Sequence, residues 1–220
     1  MKTNRLTFLF PFVLLFAAAL TGLSRSEGSS VARISTPQQS NTEPLQIREA
    51  FLKVLSRARV PGGLALESDC ATKNDGAEIE DATLPLQESL NRIVRKDPRY
   101  RWQSDRGAIN LLPVTGEPEA LSIRIKEFRA HNVKSVELAL EQLLALPEVR
   151  AHETGQLINQ GLRFGGLSSP RAQPLRIYSR DATLREALNT IARAHGHAVW
   201  VYTERQCEGQ HSISLEFLVK

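Results

Sequence analysis

The sequence predicts an α+β protein made of two small related modules, each a helix packed on a short, mostly antiparallel sheet. Two observations carry this expectation. Apolar residues recur at helical spacing in several segments, and the segments between them alternate apolar and polar residues and are rich in β-branched and aromatic side chains. One pattern also occurs twice: Leu86, Glu88, Leu90, Asn91, Ile93, Arg95 and Trp102 return 98 positions later as Leu184, Glu186, Leu188, Asn189, Ile191, Arg193 and Trp200. Seven identities at one offset point to a duplicated unit of extended lead-in, helix and hairpin.

The chain opens with an export pattern. Lys2 and Arg5 precede an apolar run from Leu6 to Leu20, followed by small and polar residues, so residues 1–24 are read as a signal peptide. The run is shorter than the roughly 20 residues that span a bilayer, and Pro11 interrupts it, so cleavage is expected. The membrane is then touched only through this segment, if it is kept. Residues 25–43, rich in Ser, Thr, Gln and Asn, read as a flexible linker. The remaining sequence divides into a module at 44–115 and a second at 119–220, the latter with a loop-rich insert at 151–174.

The linker gives way to a helix at Leu45, because Ile47, Ala50, Phe51, Val54, Leu55 and Ala58 share one helical face. Pro61, Gly62 and Gly63 stop it, and Gly63–Glu67 follows as a short strand. Ala77–Glu80 is an extended lead-in to a helix carrying Leu86, Leu90, Ile93 and Val94, which Asp97 and Pro98 end. A hairpin then runs from Tyr100 through Trp102 to Leu112. Pro113–Pro118 marks the module boundary. Leu121–Phe128 reads as a strand and Ser135–Leu146 as a helix halted by Pro147. After the glycine-rich insert, Leu175–Tyr178 is the second lead-in. Thr183 with Glu186 has capping-box spacing for a helix bearing Leu184, Leu188 and Ile191. Ala198–Thr203 and Ile213–Val219 complete the second hairpin.

Hydrophobic residues at 41% and charged residues at 24% suit a packed core. Removal of Lys2 and Arg5 leaves 26 bases against 24 acids, an excess too small and too scattered for a nucleic-acid partner. Two cysteines in an exported chain predict a Cys70–Cys207 disulfide, with two buried thiols as the alternative. The bridge would close a loop of 137 residues, for which the chain-entropy model gives about 5 kcal/mol.

The stretch from Leu45 to Pro113, with its Leu-x-Glu-x-Leu helix at Leu86, Glu88 and Leu90, resembles the secretin and TonB N-terminus short domain. Leu175–Val219 is similar to a second, degenerate copy of the same half. The resemblance implies a periplasmic α+β interaction module that engages an envelope partner through a sheet edge. The sequence carries no run of alternating barrel strands, so a pore or transporter is not expected of this chain.

No residue pattern declares a reaction or a cofactor. His195, His197, Cys207 and His211 are the metal-ligand candidates, but their spacing matches no standard zinc pattern, and surface histidines beside a structural cysteine are the preferred reading. No serine, cysteine or threonine occupies a nucleophile elbow, and the glycines at 161–166 lack the lysine of a phosphate loop. The equivalent positions of Trp102 and Trp200 favour a core role over sugar stacking. Asn91 and Asn189 are expected to bond nearby backbone. The sequence therefore points to a non-enzymatic, exported, periplasmic or secreted protein that binds an envelope protein. A hydrolase or a glycan-binding protein using the loops at 151–174 is the alternative.

Overall fold

A computed structural model describes residues 43–69, 84–152, 174–207 and 210–219. Helix α1 (Glu43–Ala58) leads into strand β1 (Gly62–Asp69). Helix α2 (Leu86–Lys96) is followed by the hairpin β2 (Tyr100–Asp105) and β3 (Ala108–Pro113). A 3-10 turn at Glu119–Ser122 precedes β4 (Arg124–Val133), α3 (Val136–Leu144) and α4 (Pro147–His152). Then come β5 (Leu175–Thr183), α5 (Leu184–His195), β6 (Val199–Cys207) and β7 (Gln210–Leu218). Five strands form one mixed sheet in the order β2-β3-β1-β6-β7, and β4 and β5 form a separate antiparallel ribbon.

Strand β1 is the centre of the sheet, parallel to β3 on one side and to β6 on the other. Its run Leu64, Ala65, Leu66 is buried, as expected of a strand covered on both faces. Leu64 and Leu66 enter a core with α1 and with Leu90 and Ile93 of α2. Ala65 enters a second core with α3, with the inner face of the β4–β5 ribbon, and with Leu184, Leu188 and Ile191 of α5. Gly63 must lack a side chain, because a Cβ there would overlap the Trp200 indole.

The α+β class stands, but the arrangement differs from two modules with separate sheets. The two hairpins flank β1 in a single sheet, and α2 and α5 pack on its opposite faces. A solitary helix and hairpin buries too little apolar surface to stand alone, and sharing β1 gives each hairpin a partner. Residues 113–118 lead from the end of β3 in the five-stranded sheet to the 3-10 turn that precedes β4 of the ribbon. Pro147 does not simply halt the preceding helix: it begins α4, where its missing N–H is no loss. Leu121 and Ser122, expected as the start of a strand, belong instead to the 3-10 turn, and the second lead-in is a nine-residue strand paired with β4. The expected lead-in at 77–80 and the loops at 153–173 lie outside the described residues. Among the described residues, no helix is long and apolar enough to cross a membrane.

Candidate functional site

On the face of the sheet that carries α1, the helix leaves the β6–β7 hairpin incompletely covered. A groove of about 510 Å³ opens there, lined by Leu52 and Ser56 of α1, by Arg59 just past its end, and by His197, Val199 and Leu218. Leu52 and Ser56 are four apart, which sets them in one row along the flank of α1, and Arg59 follows at the helix end. Phe51, Val54 and Leu55 are buried in the core beside them. Across the groove, Val199 and Leu218 are ladder partners on β6 and β7. The walls are therefore aliphatic, and Ser56, Arg59 and His197, all exposed, form a polar rim.

The rim has a backbone cost built into it. Helix α1 ends with Val60 N–H donating to Leu55 O (3.1 Å) and Arg59 N–H to Ser56 O (3.2 Å), the Schellman pattern that places its C′ residue in the left-handed region. That residue is Arg59, with φ of 54°, where glycine is the usual occupant. A guanidinium is thus held at the groove at the expense of backbone strain. Such strain in an over-determined setting is a pointer to function.

At the opposite end of β6 lies a second polar cluster. The Tyr202 hydroxyl donates to Glu204 Oε2 (2.8 Å), and His211 Nε2 lies 2.6 Å from Glu204 Oε1. With both oxygens engaged, Glu204 braces the end of the β6–β7 hairpin. Its neighbour across the parallel ladder is Glu67. Burial, and then the charge of Glu204, raise the Glu67 carboxyl above its ordinary value, against a lowering hydrogen bond from Thr115. Burial and the hydrogen bond to Glu204 likewise push the Tyr202 phenol well up.

The histidines named from sequence do not converge. His195 and His197 stack edge to face at 4.6 Å, next to the start of β6. His211 pairs with Gln206 near the far end, seven strand residues or roughly 23 Å from Val199. An extended β6 is what separates them. Among the described residues no group of three or more His, Cys, Asp or Glu side chains is arranged to hold a metal. The Cys70–Cys207 bridge lies outside the described residues, since Cys70 is not among them and only the backbone of Cys207 is.

The repeated residues form matched contacts. Trp102 Nε1–H donates to Asn91 Oδ1 and Trp200 Nε1–H to Asn189 Oδ1, each at 2.8 Å. The asparagines thus serve indoles, not the backbone as expected. Trp200 is fully buried, whereas Trp102 is half-buried. Asn189 also donates to Asp105, which Arg185 grips together with Glu117, so α5 is fastened to the turn of the first hairpin.

Of the groove residues, only His197 stood out in the sequence. Leu52, Ser56 and Arg59 carried a faint signal as one edge of the apolar stripe of α1, and an arginine immediately before Val60-Pro61 at a helix end is the feature that could have found the rim. Comparison with known proteins finds no matching family model, and no curated protein or solved structure with significant similarity to the chain.

Proposed function

We propose that the chain is a non-enzymatic, exported cell-envelope protein that acts as a protein-interaction module, with the groove between α1 and β6–β7 as its peptide-binding element. The groove carries this reading. Its walls, Leu52, Val199 and Leu218, suit an aliphatic side chain, and the rim of Arg59, His197 and Ser56 suits a carboxylate. Strand β7 is the outer strand of the sheet beside it. An extended peptide added to β7 gains main-chain hydrogen bonds while its side chains enter the groove. The occupant is an aliphatic segment with a free C-terminal carboxylate.

The matched Asn–Trp bonds support reading the two helix–hairpin units as related copies, as the secretin and TonB short-domain resemblance implies. The Cys70–Cys207 disulfide belongs to the same reading. The register of β1 against β6 pairs Asp69 with Gln206, the residues immediately before the two cysteines in the sequence. Intact mass with and without reductant tests the bridge: a gain of two mass units on reduction is expected, and alkylation of both thiols in unreduced protein would refute it.

The binding test is fluorescence anisotropy with a labelled Thr-Val-Thr-Val-Leu peptide, as the free acid and as the amide. The free acid is expected to bind at least tenfold more tightly. Arg59→Gly should remove that preference, and Ser56→Trp, which fills the groove from its exposed rim, should abolish binding. Equal affinity for acid and amide, or binding indifferent to both substitutions, would overturn the assignment.

A further inference from the structure

The β4–β5 ribbon presents a second surface. Its inner side, with Ile125, Phe128, Ala130, Leu175 and Ile177, is buried in the core shared with α3 and α5. Its exposed side gathers Arg124, Lys126, Arg129, Arg176 and Arg180 against Glu127 and Asp181, an excess of three positive charges on a chain whose whole formal excess is +4. His131 faces Arg176 across the ladder, Tyr178 faces Arg129, and Arg180 faces Glu127. Two of the cations are engaged by acids, Arg129 with Glu127 and Arg180 with Asp181. Among the described residues, Arg124 reaches only the Asp181 backbone carbonyl (3.4 Å). No described acid pairs with Lys126 or Arg176. At the centre Tyr178 is 52% exposed, and the Arg129 guanidinium lies 5.2 Å from its ring centre.

We infer that this ribbon is a docking surface for an acidic, extended protein segment in which two carboxylates flank an aromatic or aliphatic side chain at every second position. Along β5, Arg176, Tyr178 and Arg180 alternate with buried residues, so their spacing matches that of same-face side chains on a strand laid beside them. Opposite charges across such a pair, and an apolar residue on Tyr178, are the favourable cross-strand contacts. The ribbon has two strands, so both its outer edges lack a ladder partner among the described residues, and only a polypeptide can use that main-chain edge. A nucleic acid or a lipid surface fits less well. Glu127 and Asp181 sit among the cations, where an unbroken row of phosphates would meet them.

The test is anisotropy with labelled, amide-ended Glu-Thr-Phe-Thr-Glu-Thr, a probe without the free carboxylate proposed for the α1 groove. The wild-type protein should bind it, and should bind the Lys-Thr-Phe-Thr-Lys-Thr counterpart at least tenfold more weakly. The double reversal Arg176→Glu/Arg180→Glu, at exposed positions whose circular dichroism should be unchanged, is expected to weaken the acidic peptide at least tenfold. Ser56→Trp should leave it unaffected, which separates this surface from the groove. Three results would overturn the inference: no binding of the acidic peptide, binding unchanged by the double reversal, or tighter arginine-dependent binding of a twelve-nucleotide DNA strand or of phosphatidylglycerol vesicles.

Discussion

Asn189 and Asn91 make the same hydrogen bond in different surroundings, and that difference sets their energetic weight. Asn189 and Trp200 are both fully buried, so removing the asparagine strands an indole N–H away from water, at a cost of about 1–3 kcal/mol. Asn91 is exposed, and water can replace it. Asn189→Ala should therefore lose about 2 kcal/mol or more in urea unfolding, and Asn91→Ala less than about 1 kcal/mol; equal losses would show that burial does not decide the matter. Glu67 gives a pH-dependent counterpart. Burial and the nearby Glu204 raise its pKa in the folded state above the ordinary 4.5, so the fold holds that proton more tightly than the unfolded chain does. Ionisation then disfavours the fold, and the penalty is present at neutral pH and absent well below pH 4.5. Glu67→Gln is expected to raise the Tm slightly at pH 7 and to leave it unchanged at pH 3. A lower Tm at pH 7 would contradict the direction of the shift.

At the scale of elements, helical periodicity made α1, α2, α3 and α5 legible, because burial of one face is written in spacings of three and four. The capping box at the start of α5 was legible for the same local reason: Thr183 accepts from Glu186 N–H, and the Glu186 carboxylate accepts from Thr183 N–H. The groove was not legible. It depends on how the flank of α1 meets the end of β7, and nothing local to Leu52 or Leu218 encodes that meeting. Arg59 links the two levels, since its left-handed conformation strains the helix end while its side chain serves the rim. Arg59→Gly should raise stability by about 0.5–1 kcal/mol in urea unfolding, while removing the preference for a free carboxylate. A loss of stability would show that the arginine is there for the fold.

For the whole molecule, the repeated pattern was readable but its assembly was not. Sequence similarity between Leu86–Trp102 and Leu184–Trp200 says nothing about β1 lying between the two hairpins, because that pairing is set by contacts far apart in the chain. The consequence is strong interdependence. A fragment comprising 119–220 retains β6 and β7 but lacks β1, the parallel partner of β6 over eight residues. It should show poorly dispersed amide resonances, and a dispersed, cooperatively unfolding fragment would contradict the shared-sheet account. The groove depends on the same assembly, since α1 and β6–β7 come from opposite ends of the described chain. The most direct measurement is a two-dimensional amide NMR titration of the labelled protein with the free-acid Thr-Val-Thr-Val-Leu peptide. Shifts concentrated at Leu52, Ser56, Arg59, His197, Val199 and Leu218 and continuing along β7 are the predicted result. No shifts at millimolar peptide, or shifts gathered elsewhere on the molecule, would contradict it.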